Sequence, residues 1–120
     1  MASGIIEKLS NDSANGYCKF PDGTLIQWGS FVVNETGSLA QVASSGIYSG
    51  VTSPTSFPLP FINGDYIVTG AARYATGYST AIGFLAYTAS TWRCALYDFY
   101  QRPMNDGNFV VKWQAIGRWK

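Results

Sequence analysis

The sequence predicts an all-β fold in one domain, an antiparallel β-sandwich or a small barrel. Its 120 residues suffice for one hydrophobic core and are too few for two. Thirteen Gly and five Pro interrupt every window in which a helical apolar stripe would have to run. Short segments rich in aromatic and β-branched residues recur between turn sequences. Six to eight short antiparallel strands account for this pattern.

The first predicted element is a β-hairpin. Pro21-Asp22-Gly23 is a turn sequence, because Pro presets the φ angle of its position and Gly accepts a positive φ. The flanking segments, Tyr17–Phe20 and Thr24–Trp28, carry residues typical of strands. Phe31–Val33 is a candidate extension of the second strand.

The middle of the chain is less regular. Residues 34–56 are rich in Ser, Gly and Thr, which favours a surface excursion or a short edge strand, with weak strand character at Leu39–Val42 and Ile47–Val51. Phe57–Phe61 carries two prolines, which cannot donate to a ladder. It is therefore predicted to be an edge strand or an extended connector. Tyr66–Thr69 is a further strand.

Three longer strands are predicted in the second half, at Ala81–Tyr87, Thr91–Phe99 and Phe109–Gly117. Side chains alternate between the two faces of a strand. The groups expected to share a face are Ile82, Phe84 and Ala86; Trp92, Cys94 and Leu96; and Phe109, Val111, Trp113 and Ala115. In the last strand Lys and Gln mark the solvent face, so the aromatic face should be buried. Both Trp28 and Trp113 are expected in the core.

Composition excludes several function classes. The chain has no His, which removes the commonest general base and neutral metal ligand. Its eight Lys and Arg are scattered, whereas nucleic-acid binding requires clustered basic residues. No apolar run approaches the ~20 residues of a membrane helix, and no signal peptide is evident. We therefore expect no nucleic-acid partner, no membrane insertion, no metal and no cofactor.

The two cysteines, Cys18 and Cys94, are 76 residues apart and form no C-x-x-C pair. We interpret them as small buried apolar residues. A disulfide is the alternative if the protein matures outside a reducing cytosol.

The carboxylates do not suggest catalysis. Glycoside hydrolysis needs two carboxyl groups facing each other across a sugar. Four of the Asp residues lie in turn sequences, where such side chains cap the backbone; they are Asp12, Asp22, Asp65 and Asp106. Asp98 lies in an aromatic strand without an evident partner, and is expected to face solvent or pair with Arg. We expect no enzymatic activity.

Several segments together resemble the C-terminal domains of phage and prophage tail fibres. The most specific is a hairpin motif, Gly-Tyr-x-Lys-x-x-x-Gly-x-x-Ile-Gln-Trp-Gly, which residues 15–29 resemble. The other similar segments, in the family's order, are Ile5-Ile6-Glu7, Phe57–Phe61 with Tyr66-Ile67-Val68, and Trp113–Gly117. The resemblance spans nearly the whole chain, with gaps at about 34–56 and 71–104.

The resemblance implies a homotrimeric, jelly-roll-like β-sandwich knob at the distal end of a tail fibre. It also implies attachment of a virion, or of a phage-tail-like bacteriocin, to a bacterial surface. Such a protein is made in the host cytoplasm and incorporated into the virion. Residues 1–14 would then be a lead-in from a fibre shaft or a cloning remnant, and 15–120 the tip domain. The matched residues are expected to form the scaffold, so binding positions should lie in the unmatched loops.

Two regions combine aromatic and polar side chains in the way that saccharide sites do. One runs from Arg73 to Tyr78, and the other from Tyr97 to Asp106. If the fold brings them together, the predicted ligand-binding residues are Tyr74, Tyr78, Tyr97, Tyr100, Arg102 and Asp106. The expected ligand is a bacterial surface glycan or another envelope polymer. The alternatives are packing of these residues between chains in a fibre assembly domain, and a free-standing carbohydrate-binding module.

Overall fold

The computed structural model describes residues 7–10, 15–75, 77–86 and 88–120. Within these ranges the regular structure is entirely β. No helix in the described ranges is long and apolar enough to cross a membrane. The ten strands are β1 (Glu7–Ser10), β2 (Gly16–Lys19), β3 (Thr24–Val32), β4 (Ala40–Gln41), β5 (Tyr48–Val51), β6 (Thr55–Ser56), β7 (Ile67–Tyr74), β8 (Tyr78–Ala86), β9 (Thr91–Asp98) and β10 (Phe109–Arg118).

The strands form one antiparallel sheet that folds into two packed layers. The order is β1-β2-β3-β10-β7-β8-β9-β5-β4, and β6 pairs with β9. Strand β8 joins the layers, because residues 78–80 pair with β7 and residues 81–86 pair with β9. Across the core, Trp92 of β9 meets Trp113 of β10 edge to face, with ring centroids 5.5 Å apart. The predicted antiparallel all-β fold is confirmed.

The hairpin at the start of the domain forms as predicted. In the β2–β3 register, Lys19 lies opposite Leu25 and Gly16 opposite Trp28. The turn needs glycine, since Gly23 has a φ angle of +101°. The turn is closed by the Thr24 amide, which donates to a carboxylate oxygen of Asp22 at 2.8 Å.

The alternation predicted for β9 and β10 sets the core. Trp92, Cys94 and Leu96 are completely buried, and the aromatic face of β10 is buried while its Lys and Gln are exposed. The core residues lie on both layers and on the loops between them. They are Leu25, Val33, Leu39, Phe57, Phe61, Tyr66, Val68, Ala72, Trp92, Cys94, Leu96, Met104, Phe109, Val111, Trp113 and Ala115.

The prediction that Trp28 is buried in the core is wrong. Trp28 is half-buried on the outward face of β3, and its neighbours Leu25, Gln27 and Gly29 take the buried positions. Gln27 is tolerated there because its amide group pairs with the Leu59 backbone, donating to the carbonyl at 2.6 Å and accepting from the N–H at 2.9 Å. A strand has two faces, so Trp28 must point the other way.

The two hydrogen bonds between Gln27 and Leu59 also hold the proline-bearing segment against the core. Residues 57–61 form an extended connector, one of the two predicted alternatives, and are not part of a strand. Its two rings, Phe57 and Phe61, each lie 4.8 Å from the ring of Tyr66. The connector therefore covers the end of the core beside Gln27.

Some predictions fall on residues outside the described ranges. These are the Ile5-Ile6 part of the first matched segment, Asp12, and Tyr87 at the end of a predicted strand. Both cysteines are free. Cys94 is buried as expected, whereas Cys18 is only half-buried.

Candidate binding site

Five of the six predicted site residues meet at one end of the sandwich. Tyr74 ends β7 and Tyr78 begins β8, while Tyr100, Arg102 and Asp106 lie in the loop between β9 and β10. We call these five residues the Tyr/Arg cluster. The fold therefore brings together residues 73–78 and 97–106, the two regions that must lie close for the predicted site to exist.

Arg102 is the centre of the Tyr/Arg cluster. Its guanidinium carbon lies 4.6 Å from the ring centroid of Tyr74 and 4.9 Å from those of Tyr78 and Tyr100. Cation–π contacts of this length hold a guanidinium against ring faces. One cation thus gathers three tyrosines from separate segments of the chain.

Asp98 fixes the position of that cation. Its carboxylate accepts a hydrogen bond of 2.8 Å from Arg102 Nε, and both side chains are largely buried. It also accepts bonds from the Tyr100 amide at 3.2 Å and the Thr80 hydroxyl at 3.3 Å. The expectation that Asp98 pairs with Arg is confirmed. Asp98 is not among the predicted site residues. The sequence feature that indicates its role is its position four residues before Arg102 in an aromatic segment.

Asp106 forms a second polar contact at the rim of the cluster. Its carboxylate accepts a short hydrogen bond from the Tyr74 hydroxyl, and bonds from the Asn108 amide and side chain at 3.1 and 3.2 Å. The Tyr74 bond lowers the pKa of Asp106 and raises the pKa of Tyr74. Tyr74 is therefore protonated and Asp106 ionised at neutral pH. Asn108 is the other residue that the sequence reasoning missed.

Tyr97 does not join the cluster. It is 41% exposed and lies on the opposite face of β9 from the completely buried Trp92, Cys94 and Leu96. With Ile47, Ala81, Asp98 and Phe99 it lines a separate hollow of about 180 Å³. The aromatic composition of residues 97–106 therefore does not bring every one of their rings into the cluster.

The cluster offers solvent-accessible rings beside fixed polar groups. Tyr78 is 58% and Tyr100 65% exposed, whereas Tyr74 is half-buried against Phe109. The guanidinium and the Asp106 carboxylate provide hydrogen-bond donors and acceptors within the same surface. Among the described residues no group of three His, Cys, Asp or Glu could hold a metal ion.

The cluster lies far from the other end of the sandwich, where both described termini lie. Tyr74 is paired with Phe109 at one end of β10, and Arg118 at the other end is paired with Thr24. Glu7, the first described residue, lies opposite Lys19 beside that second end. The domain is elongated, with a longest dimension of 56 Å.

This fold is shared with solved tail fibre structures. It is similar to the N-truncated R1-type pyocin tail fiber, with a TM-score of 0.57 and 17% identity over 93% of this chain and 86% of that one. It is also similar to the N-truncated R2-type pyocin tail fiber, with a TM-score of 0.52 and 20% identity over 94% of this chain. The chain spans only 38% of the R2-type structure. At these identities the likeness establishes the fold alone.

The family is established separately. The model described as "tail fiber protein gp53-like, C-terminal" matches residues 19–118. Because that match covers most of the sequence, the chain belongs to this family of C-terminal tail fibre domains. It is thus a component of a phage or pyocin particle, and the resemblance found in the sequence is confirmed. No curated protein sequence matches the chain.

Proposed function

We propose that this tail fibre domain attaches the particle to a bacterium by non-covalent binding of a surface glycan or other envelope polymer. The observation that carries the proposal is the Tyr/Arg cluster itself. Three rings held around one guanidinium, beside an ionised carboxylate, present both stacking faces and hydrogen-bonding groups. Sugars need this combination, because their C–H faces stack on rings while their hydroxyls need donors and acceptors.

The position of the cluster supports the same role. A fibre shaft joined through the residues before Glu7 would leave the cluster at the distal end, facing a cell surface. The cluster uses no catalytic pair of carboxylates, since Asp98 is bound to Arg102 and Asp106 to Tyr74. We expect binding without turnover, in a virion protein that is made in the host cytoplasm.

The test compares cell binding by the wild type and two tyrosine variants. Tyr100→Ala should reduce binding to host cells or to purified envelope polysaccharide, because it removes an exposed ring of the cluster. Tyr97→Ala is the matched control, since Tyr97 is an exposed tyrosine outside the cluster. Equal binding by all three proteins would refute the site. A wild type that binds no envelope fraction would refute the function.

A second role, assembly, is favoured by a different surface. The outward face of the β2-β3-β10-β7 layer carries one cross-strand row of apolar side chains. In register they are Cys18, Ile26, Ile116 and Ile67. Ile67 is 71% and Ile116 50% exposed, and exposed apolar side chains in a row across neighbouring strands form a surface that another chain can cover. We propose that this face packs against copies of the chain in a homotrimer. The two roles use opposite ends of the domain and are compatible.

A further inference from the structure

A second concave surface lies apart from the Tyr/Arg cluster and shares no residue with it. It is a cleft of about 340 Å³ between β3 and β6, within the ~300–1,000 Å³ typical of small-molecule sites. Its lining residues are Asn15, Ser30, Phe31, Thr55, Ser56, Phe57, Pro58 and Trp113. We call it the β3–β6 cleft.

The lining combines aromatic walls with neutral polar residues. Phe31, Phe57 and Trp113 supply rings, while one amide and three hydroxyl residues supply hydrogen-bonding groups. None of the described residues that line the cleft is charged. Rings beside neutral donors and acceptors suit a sugar residue, and these described residues offer an anionic sugar no counter-charge.

The walls of the cleft are held rigidly. The ring centroid of Phe57 lies 5.6 Å from that of Trp113, and both belong to the core. Gly29 allows the close approach of Trp113 and Asn15, because a Cβ there would collide with the Asn15 Oδ1 and lie 2.5 Å from Trp113 Cζ2. A preformed cleft loses little conformational freedom when a ligand enters.

A buried indole packs against the walls of this cleft. Trp92 packs against two of its walls, with ring centroids 5.9 Å from Phe31 and 5.5 Å from Trp113, and is paired across the strands with Thr55. Its indole Nε1 is buried without a hydrogen-bond partner in the part of the chain that the structure describes. Buried donors are normally satisfied, so this indole is a polar group beside the cleft that lacks its usual partner among the described residues.

From these observations we infer that the β3–β6 cleft binds one neutral sugar residue. The inference stands independently of the Tyr/Arg cluster. It gives the domain a second saccharide site, with a different charge preference, on the side of the sandwich.

The test is saturation-transfer difference NMR on the whole domain. The neutral probes are the methyl glycosides of glucose, galactose and N-acetylglucosamine, and the anionic probe is glucuronic acid. At least one neutral probe should show saturable transfer that Ser56→Tyr reduces, whereas that variant should leave transfer from glucuronic acid unchanged. No transfer from any neutral probe, or neutral-probe transfer that Ser56→Tyr leaves unchanged, would overturn the inference.

Variants locate the bound sugar. Ser56→Tyr should fill the cleft and lower affinity at least about tenfold, whereas Ser44→Tyr adds the same ring to a remote exposed loop and should change nothing. Asn15→Ala should weaken binding about fivefold through one lost hydrogen bond, with Asn34→Ala as its control. Undiminished binding by Ser56→Tyr, or an equal loss in Ser44→Tyr, would place the sugar elsewhere and reject the cleft.

Discussion

At the scale of single residues, the Tyr74–Asp106 contact makes the rim of the cluster stable to pH. The stabilisation that the ionised Asp106 carboxylate contributes is fully present above the ordinary Asp pKa of 3.8. It is lost as the pH falls through the lowered pKa of Asp106. The stabilisation that the protonated Tyr74 phenol contributes is fully present below the ordinary Tyr pKa of 10.0. It is lost as the pH rises through the raised pKa of Tyr74. The contact should therefore persist across the whole neutral range.

This contact can be measured directly at Tyr74. Asp106→Asn should lower the pKa of Tyr74 toward its ordinary value, because the charged acceptor that favours the protonated phenol is gone. The measurement is a ¹³C NMR titration of the labelled tyrosine ring carbons. Asp65→Asn, which changes a carboxylate in a distant turn, should leave the Tyr74 pKa unchanged. An unaltered Tyr74 titration in Asp106→Asn would contradict the contact.

The cysteines offer a second residue-scale prediction. Burial in the core raises the pKa of the Cys94 thiol to about 12, so the reactive thiolate is scarce at neutral pH. Cys94 should therefore react with a thiol reagent such as dithionitrobenzoate only when the protein unfolds. The check is to count thiols in a Cys18→Ala variant before and after adding guanidinium. Rapid reaction of the native variant would show that the core is open at Cys94.

At the scale of elements, the sequence was a good guide to strands and a poor guide to outward-facing aromatics. The alternation in β9 and β10 predicted the buried faces correctly, because the polar members of β10 marked the solvent side. Ring size alone does not predict burial, since Trp28 is half-buried on the outward face of β3. The deciding interaction is the contact of Gln27 with Leu59, 32 residues away, which no local pattern reveals.

The prediction of the site has the same limit, because local composition does not reveal contacts between residues far apart in the sequence. The two tyrosine regions could be chosen by composition, but their meeting depends on the pairing of β7 with β8 and β10. The direction of Tyr97 follows from which face of β9 is buried. The role of Asp98 depends on the loop that returns Arg102 to it.

Removing the Gln27 contact should destabilise the fold. Gln27→Met keeps a side chain of similar size but leaves the Leu59 N–H and carbonyl without their partner, at a cost of about 1–3 kcal/mol in the free energy of unfolding. The measurement is urea denaturation with linear extrapolation. Gln114→Met, at an exposed position of β10, should change the free energy by less than about 0.5 kcal/mol. Equal effects of the two variants would contradict the bracing role of Gln27.

At the scale of the whole molecule, the exposed isoleucine row makes a prediction about assembly. The wild type should have a light-scattering mass three times the 13.0 kDa of the chain. Ile67→Lys together with Ile116→Lys should give a folded monomer, because the charges would have to be buried between copies. The control is Leu85→Lys, an exposed apolar residue in the other layer. A wild-type monomer, or a double variant that remains trimeric, would rule out this interface.

Assembly bears on attachment through multivalency. One shallow site of three rings is expected to bind a sugar weakly. In the proposed trimer, three such sites would raise the effective concentration of sites near a polymer and convert weak contacts into firm binding. The monomeric isoleucine variant should therefore keep its affinity for a short glycan and lose most of its binding to whole cells.

The central claim is that the Tyr/Arg cluster is the surface that receives the envelope polymer. The most direct measurement is an NMR titration of the ¹⁵N- and ¹³C-labelled domain with fragments of envelope polysaccharide from the host. The claim predicts that the Arg102 side-chain Nε–H signal and the rings of Tyr74, Tyr78 and Tyr100 shift in a saturable way, while the Tyr97 ring does not. A saturable titration in which the cluster signals stay fixed would contradict it.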